Sequence, residues 1–306
     1  MARLEKHGWL WVVCLLLLSR CNDQRKNVPS ETISSGKIHI SVDETFKPVI
    51  DSQIEVFEAL HPGAHIIPHY KAEADCLKDL LIDSIRMIIV TRGLNTKEEQ
   101  FLKDTLRYMP GQNKIAYDAI AVIVNNNCRD SIFDMTDIRS LVKGTSGYKY
   151  KVVLDGLNAT GTVRYVMDSL LKGQPFGANV VAATNSQGVI DHVANDPNAI
   201  GLIGVSWIGD RGDNQQLSFA GNVKVASVEC TGCNPVTYVK PYQANIAQRR
   251  YPMIRGLYYV LKENYNGLGS GFADFLVYER GQLIFKRAYL WPAKMSFTVR
   301  KTNINE

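Results

Sequence analysis

The chain has no run of five or more Lys or Arg residues. Its formal net charge of +5 and isoelectric point near 8.8 therefore mark no nucleic-acid stripe and suit a small anionic ligand better. No H-E-x-x-H joins His39, His61, His65, His69 or His192, so a catalytic metal centre has no ligand pattern. A G-x-S-x-G elbow, a Walker A loop and a carboxylate/His cluster suited to two metals are all missing. Phosphoryl chemistry would thus lack both its usual nucleophile and its usual metal. Tandem repeats and low-complexity tracts are also missing. Cysteine is sparse: Cys230 and Cys233 form a C-x-x-C with no second ligand pair at zinc-finger spacing, which leaves a disulfide or free thiols open and gives little support to zinc. Cys76 and Cys128 suggest no role.

One long apolar run lies at the N-terminus. Arg3 and Lys6 precede Trp9 to Leu18, and Ser19, Arg20 and Cys21 follow, which is the order of charge, apolar core and cleavage site in an export signal. The core is too short to serve comfortably as a permanent membrane span. Leu18-Ser19-Arg20-Cys21 resembles a bacterial lipobox, in which the cysteine is lipidated and begins the mature chain; Arg20 stands where that pattern prefers a small residue. Residues 22–36 are polar, with Pro29 and several Ser and Thr, as suits a flexible tether.

Beyond the tether, strand patterns alternate with amphipathic helices, the mark of α/β lobes with mainly parallel pairing. Ile38, Ile40 and Val42 alternate as a strand; Ile50, Ile54, Phe57 and Leu60 recur at helical spacing after Pro48 and stop at His61-Pro62-Gly63. A strand over Ala64 to His69, a helix over Ala74 to Ser84, a strand over Ile85 to Val90 and a helix over Thr96 to Arg107 follow. Ala116 to Val124 is almost wholly apolar around Asp118, as expected of a buried strand passing between lobes. Later strands are expected at Lys151 to Leu154, Asn179 to Ala183, Ala199 to Ile203 and Val223 to Val228. Helices are expected near Thr136 to Val142, Thr162 to Leu171, Tyr251 to Glu263 and Gly271 to Gly281.

Three polar clusters fall after strands or at helix starts: Thr45-Phe46, Thr91-Arg92 and Thr160-Gly161-Thr162. Helix starts offer unpaired N–H groups and partial positive charge, so hydroxyls there can converge on an oxyanion; each Thr alone also fits an ordinary N-cap. Asp118 needs a partner because a lone buried charge is strongly disfavoured, and Arg92 or a backbone group would serve. Phosphate keeps at least one proton at neutral pH and sulfate keeps none. A carboxylate can therefore accept from phosphate and repel sulfate. Arg211-Gly212-Asp213 reads as a turn, and Trp207 and Trp291 as packing residues.

Ile38 to Arg92, the AYDAIAVIVN segment, Thr160-Gly161-Thr162 and the GFADFLVYERGQ segment together resemble, in order and spacing, the phosphate-binding proteins of bacterial phosphate ABC importers. The resemblance implies an α/β chain of two lobes, of the type II periplasmic-binding-protein fold, with a ligand cleft between them. It implies phosphate held by Thr45, Phe46, Thr91, Asp118, Thr160, Gly161 and Thr162, no catalysis, and a monomer working with ABC permease subunits. The family commonly has an Arg four residues before its Ser-Gly-Thr; here that position is Gly156, and Arg164 is the candidate to supply the charge. The expected division is a signal over 1–21 ending in lipidated Cys21, a tether over 22–36, a first lobe of 37–118 plus 237–306, and a second of 119–236. The location expected is the periplasmic or cell-surface side of a bacterial membrane, with no cofactor and no metal. The same fold could hold another oxyanion or a phosphorylated small molecule.

Overall fold

The computed structural model describes residues 31–156, 160–210, 212–213 and 218–294. The export signal, Cys21, most of the tether and Arg211 lie outside the described residues. No described helix is long and apolar enough to cross a membrane.

The first lobe starts with β1 (Ser35–Asp43), whose Ile38, Ile40 and Val42 are buried, and continues through a 3-10 turn at Glu44–Phe46 into α1 (Lys47–Leu60). In α1, Pro48 occupies the first turn, where its missing N–H would have had no partner, and Ile50, Ile54 and Phe57 face inward. Each such side chain stabilises the fold by roughly 1.5–3 kcal/mol. Next come β2 (Gly63–Lys71), α2 (Glu73–Lys78), β3 (Ile85–Val90) and α3 (Thr96–Leu106). The helix expected over Ala74 to Ser84 is shorter than read: after Lys78 it tightens to a 3-10 turn at Asp79–Leu81. Ser41 and Lys71 hold the Asp79 carboxylate, which fixes that turn against the sheet.

The 14-residue β4 (Gly111–Val124) belongs to both lobes. The second lobe contains β5 (Ile132–Phe133), α4 (Met135–Lys143), β6 (Lys151–Leu154), α5 (Gly161–Tyr165), β7 (Val180–Ala182), α6 (Ser186–Asn195), β8 (Ala199–Gly204), β9 (Lys224–Val225), β10 (Ser227–Glu229) and β11 (Tyr238–Val239). A wider turn, Val166–Leu170, follows α5 within the segment read as one helix. Helix α6 was not expected; Asn185 caps it by accepting from the Gly188 N–H at 2.9 Å. Cys230 and Cys233 form a disulfide, and Cys76 and Cys128 are buried free thiols.

The chain returns through α7 (Gln243–Ala247) to β12 (Ile254–Leu261), α8 (Leu268–Val277), α9 (Glu279–Arg287) and β13 (Trp291–Pro292). The helix expected over Tyr251 to Glu263 is in fact β12. Arg255, Leu257, Tyr259 and Leu261 alternate inward with period two, and the strand is paired on both sides, which outweighs the segment's apolar content as a helical signal. The helix expected over Gly271 to Gly281 is two, broken at Tyr278, where a Cβ on Gly281 would lie 2.2 Å from the Phe275 carbonyl oxygen.

The strand order is β2-β1-β3-β12-β4-β8-β6-β7. In each lobe a first strand lies between parallel second and third strands, and the third pairs antiparallel with a strand arriving from the other lobe: β12 against β3, β4 against β8. The two crossings touch, with the Ile120 N–H donating to the Met253 carbonyl at 2.9 Å and the Tyr251 hydroxyl to the Ile120 carbonyl at 2.9 Å.

Candidate functional site

In a sheet of this kind, loops and helix starts gather outside the carboxyl ends of the parallel strands, where ligands bind. Here β1 ends at Asp43, the connection after β2 gives Glu73, β3 leads into Thr91, β6 into Asp155 and Thr160, and β7 into Ser186. The two crossings contribute Asp118 from β4 and Arg255 from β12. All eight of these residues are buried.

At the centre is the Asp43 carboxylate. Its Oδ1 accepts from the Thr45 N–H at 3.1 Å, and its Oδ2 accepts from the Gly161 N–H of the opposite lobe at 2.9 Å. Burial, helped by the nearby Glu73 and Asp155 charges and opposed by Arg255, pushes its pKa up to about 7. Thr45 Oγ1 is buried without a hydrogen-bond partner among the described residues, while the Thr45 carbonyl accepts from Trp207 Nε1 at 2.8 Å.

Glu73 forms a second node. It accepts from the Thr91 N–H at 2.7 Å, from the Thr91 hydroxyl and from Arg164 Nε; Arg164 Nη2 also donates to Thr91 Oγ1. Arg164 therefore reaches the cleft, meeting a carboxylate there. The departure at Gly156 has a backbone basis: its φ of +123° lies in the region that glycine adopts readily and L side chains rarely do.

A third node joins the crossings. Arg255 donates from Nε to Asp118 Oδ2 at 2.8 Å, its Nη2 lies 2.8 Å from the same oxygen, and its Nη1 donates to Thr162 Oγ1 at 3.2 Å. Its guanidinium carbon stands 4.9 Å from the Phe46 ring centroid, a cation–π contact. Burial raises the Asp118 pKa against the pull of Arg255. Thr160 caps α5 by accepting from the Val163 N–H at 3.2 Å and donates to Asp155 Oδ1 at 2.7 Å, so here the capping reading describes its bonds. Ser186 donates its N–H at 3.2 Å and its hydroxyl at 2.8 Å to the two carboxylate oxygens of Glu44.

The structure thus brings Thr45, Phe46, Thr91, Asp118, Thr160, Gly161, Thr162 and Arg164 together. Arg92 stands apart, held by two 2.7 Å bonds to Glu98. Sequence reasoning missed Asp43, Glu44, Glu73, Asp155, Ser186 and Arg255. The Asp43-Glu44 pair beside Thr45 was a usable signal. Arg255 was hidden by the helical reading of its strand. Among the described residues no His/Cys/Asp/Glu group is placed to hold a metal ion.

A family model described as a PBP superfamily domain matches residues 27–280. No curated protein matches the chain. Among solved structures, the chain is similar to a Clostridium perfringens protein described as a phosphate ABC transporter substrate-binding protein and holding bound phosphate; identity is 21%, TM-score 0.70, and the match covers 85% of this chain and all of that one. It is also similar to an ABC-type phosphate transport receptor from Vibrio cholerae, at 17% identity, TM-score 0.61 and coverage of 83% and 99%.

Proposed function

Because the chain belongs to the PBP superfamily, we propose that it is an exported substrate-binding protein that captures inorganic phosphate for an ABC importer. In this reading it acts as a monomer, anchored through lipidated Cys21 on the periplasmic or cell-surface side of a bacterial membrane. The observation that carries the ligand class is the convergence of two backbone N–H groups, one from each lobe, on a single carboxylate at Asp43. A group that accepts from both walls at once fills the place of an oxyanion, and closure of the lobes on such a group is what a capture protein needs. The unpartnered Thr45 hydroxyl and the Arg164 and Arg255 guanidiniums add donors around the same point.

No bond is broken in this role: phosphate enters, the lobes close, and a permease takes it up when they reopen. Phosphate rather than sulfate is supported by the acids around the cradle. They accept from an anion that still carries a proton and repel one that carries none. Calorimetric titration of the protein, stripped of endogenous ligand, tests this: one-to-one binding of phosphate without binding of sulfate is expected, and binding of neither would overturn the phosphate reading.

A further inference from the structure

We propose that the Asp43 carboxylate is a built-in oxyanion that competes with the ligand for the cradle and holds the ligand-free cleft closed. The inference rests on the oxyanion reading of the cleft and deepens it.

Asp43 takes both of the N–H groups that make the cradle, and it is wholly buried while doing so. The fit leaves neither N–H group free for a second anion. A Cβ built on Gly161 would lie 2.3 Å from Asp43 Oδ2 and 2.4 Å from Thr91 Cγ2, so the carboxylate rests directly on the glycine backbone. A tetrahedral oxyanion could reach the Thr45 and Gly161 N–H groups only after the Asp43 side chain swung away. The buried Thr45 hydroxyl, which Asp43 does not engage, is the donor left over when a carboxylate with two oxygens stands where a larger oxyanion would.

Neighbouring contacts follow the same scheme. Glu73 of the first lobe takes Arg164 of the second, and Glu44 takes Ser186, so every acid on one wall meets a donor on the other. With its own carboxylates in these places, the cleft closes without a ligand. A ligand must then offer more than Asp43 does, and an anion bearing a proton meets less repulsion from Asp43, Glu73 and Asp155 than a fully ionised one.

The test compares the full-length protein with Asp43→Ala and Asp43→Ser, measuring phosphate affinity by calorimetry and the compactness of the ligand-free form by small-angle scattering. Wild type is expected to be compact without ligand. The variants are expected to open and to bind phosphate at least about ten-fold more tightly, with the cradle N–H groups released. Variants that stay folded yet bind phosphate no more tightly than a wild type that does bind it would overturn the proposal. If neither wild type nor variants bind phosphate, scattering decides. Opening on loss of the carboxylate upholds the built-in occupant while the phosphate reading falls, and unchanged scattering overturns both. Two variants guard against one that fails to fold.

Discussion

The two walls of the cleft come from lobes with the same strand order, yet their chemistry is opposite. The first lobe presents acids: Asp43, Glu44 and Glu73. The second presents donors to meet them, the Gly161 N–H, Ser186 and Arg164, while its own acid, Asp155, accepts from Thr160 of the same lobe. A cleft built only to hold an anion would place donors on both walls, as Thr45 and Gly161 do by themselves. The acids make the walls complementary to each other, so lobe closure and ligand capture draw on the same donors. The seam differs from both walls: there Asp118 and Arg255, on adjacent crossing strands, pair with each other and are buried together.

The largest effect is expected where that seam is cut. Asp118→Asn leaves the Arg255 guanidinium buried without its main counter-charge, and breaking one partner of a buried ion pair costs about 3–5 kcal/mol. Asp43 and Asp155 also act on Arg255, which places the expected loss toward the lower end. Urea unfolding of the variant checks it. A loss below about 1 kcal/mol would show that the crossings do not depend on the pair.

The seam also shows what the sequence could and could not disclose. Asp118 stood out because a lone acid in an apolar strand demands a partner, but its partner is 137 residues away on a strand whose apolar content mimicked a helix. Thr45, Thr91 and Thr160-Gly161-Thr162 were legible because strand ends and helix starts carry local signatures of turn and cap. The alternation of strands and helices likewise gave the α/β lobes. Beyond the Asp43-Glu44 pair beside Thr45, the role of the acid wall was not legible. Asp43, Glu44 and Glu73 look like ordinary surface acids until the second lobe is brought against them, and sequence spacing within one lobe carries no information about what faces it across a cleft. Gly156 is the converse: a departure conspicuous in the sequence, at a position whose positive φ suits glycine.

The next effect contrasts the acid wall with the donors it meets. The pKa of Asp43 is raised from 3.8 to about 7 in the folded protein, so between those values the native state binds more protons than the unfolded chain. Stability should therefore fall as pH rises from about 4 to about 7, and then level off with respect to this group. Glu73 and Asp155 face Asp43 as like charges, and Arg255 opposes them. Asp155, Glu44 and Asp118 are raised as well and contribute the same sign, so the whole slope is not diagnostic of one residue. The difference between wild type and Asp43→Ala is diagnostic: the variant should show a shallower decline in its urea midpoint across pH 5 to 7. Parallel profiles would mean that Asp43 titrates alike in the folded and unfolded chains.

The smallest effect sharpens the comparison at its edge. Ser186→Ala removes the hydroxyl bond to Glu44 at 2.8 Å and the longer one to Asp155 at 3.5 Å and keeps the backbone N–H bond, so about 1 kcal/mol of stability is at stake. The bond to Glu44 joins the walls, so its loss should act mainly on the closed form. If the acid wall does hold the ligand-free cleft shut, the variant should scatter as a slightly larger particle than wild type without phosphate and as the same particle with it. An equal expansion in both states would assign the Glu44–Ser186 contact to general packing, leaving Asp43 and Glu73 as the contacts that close the lobes.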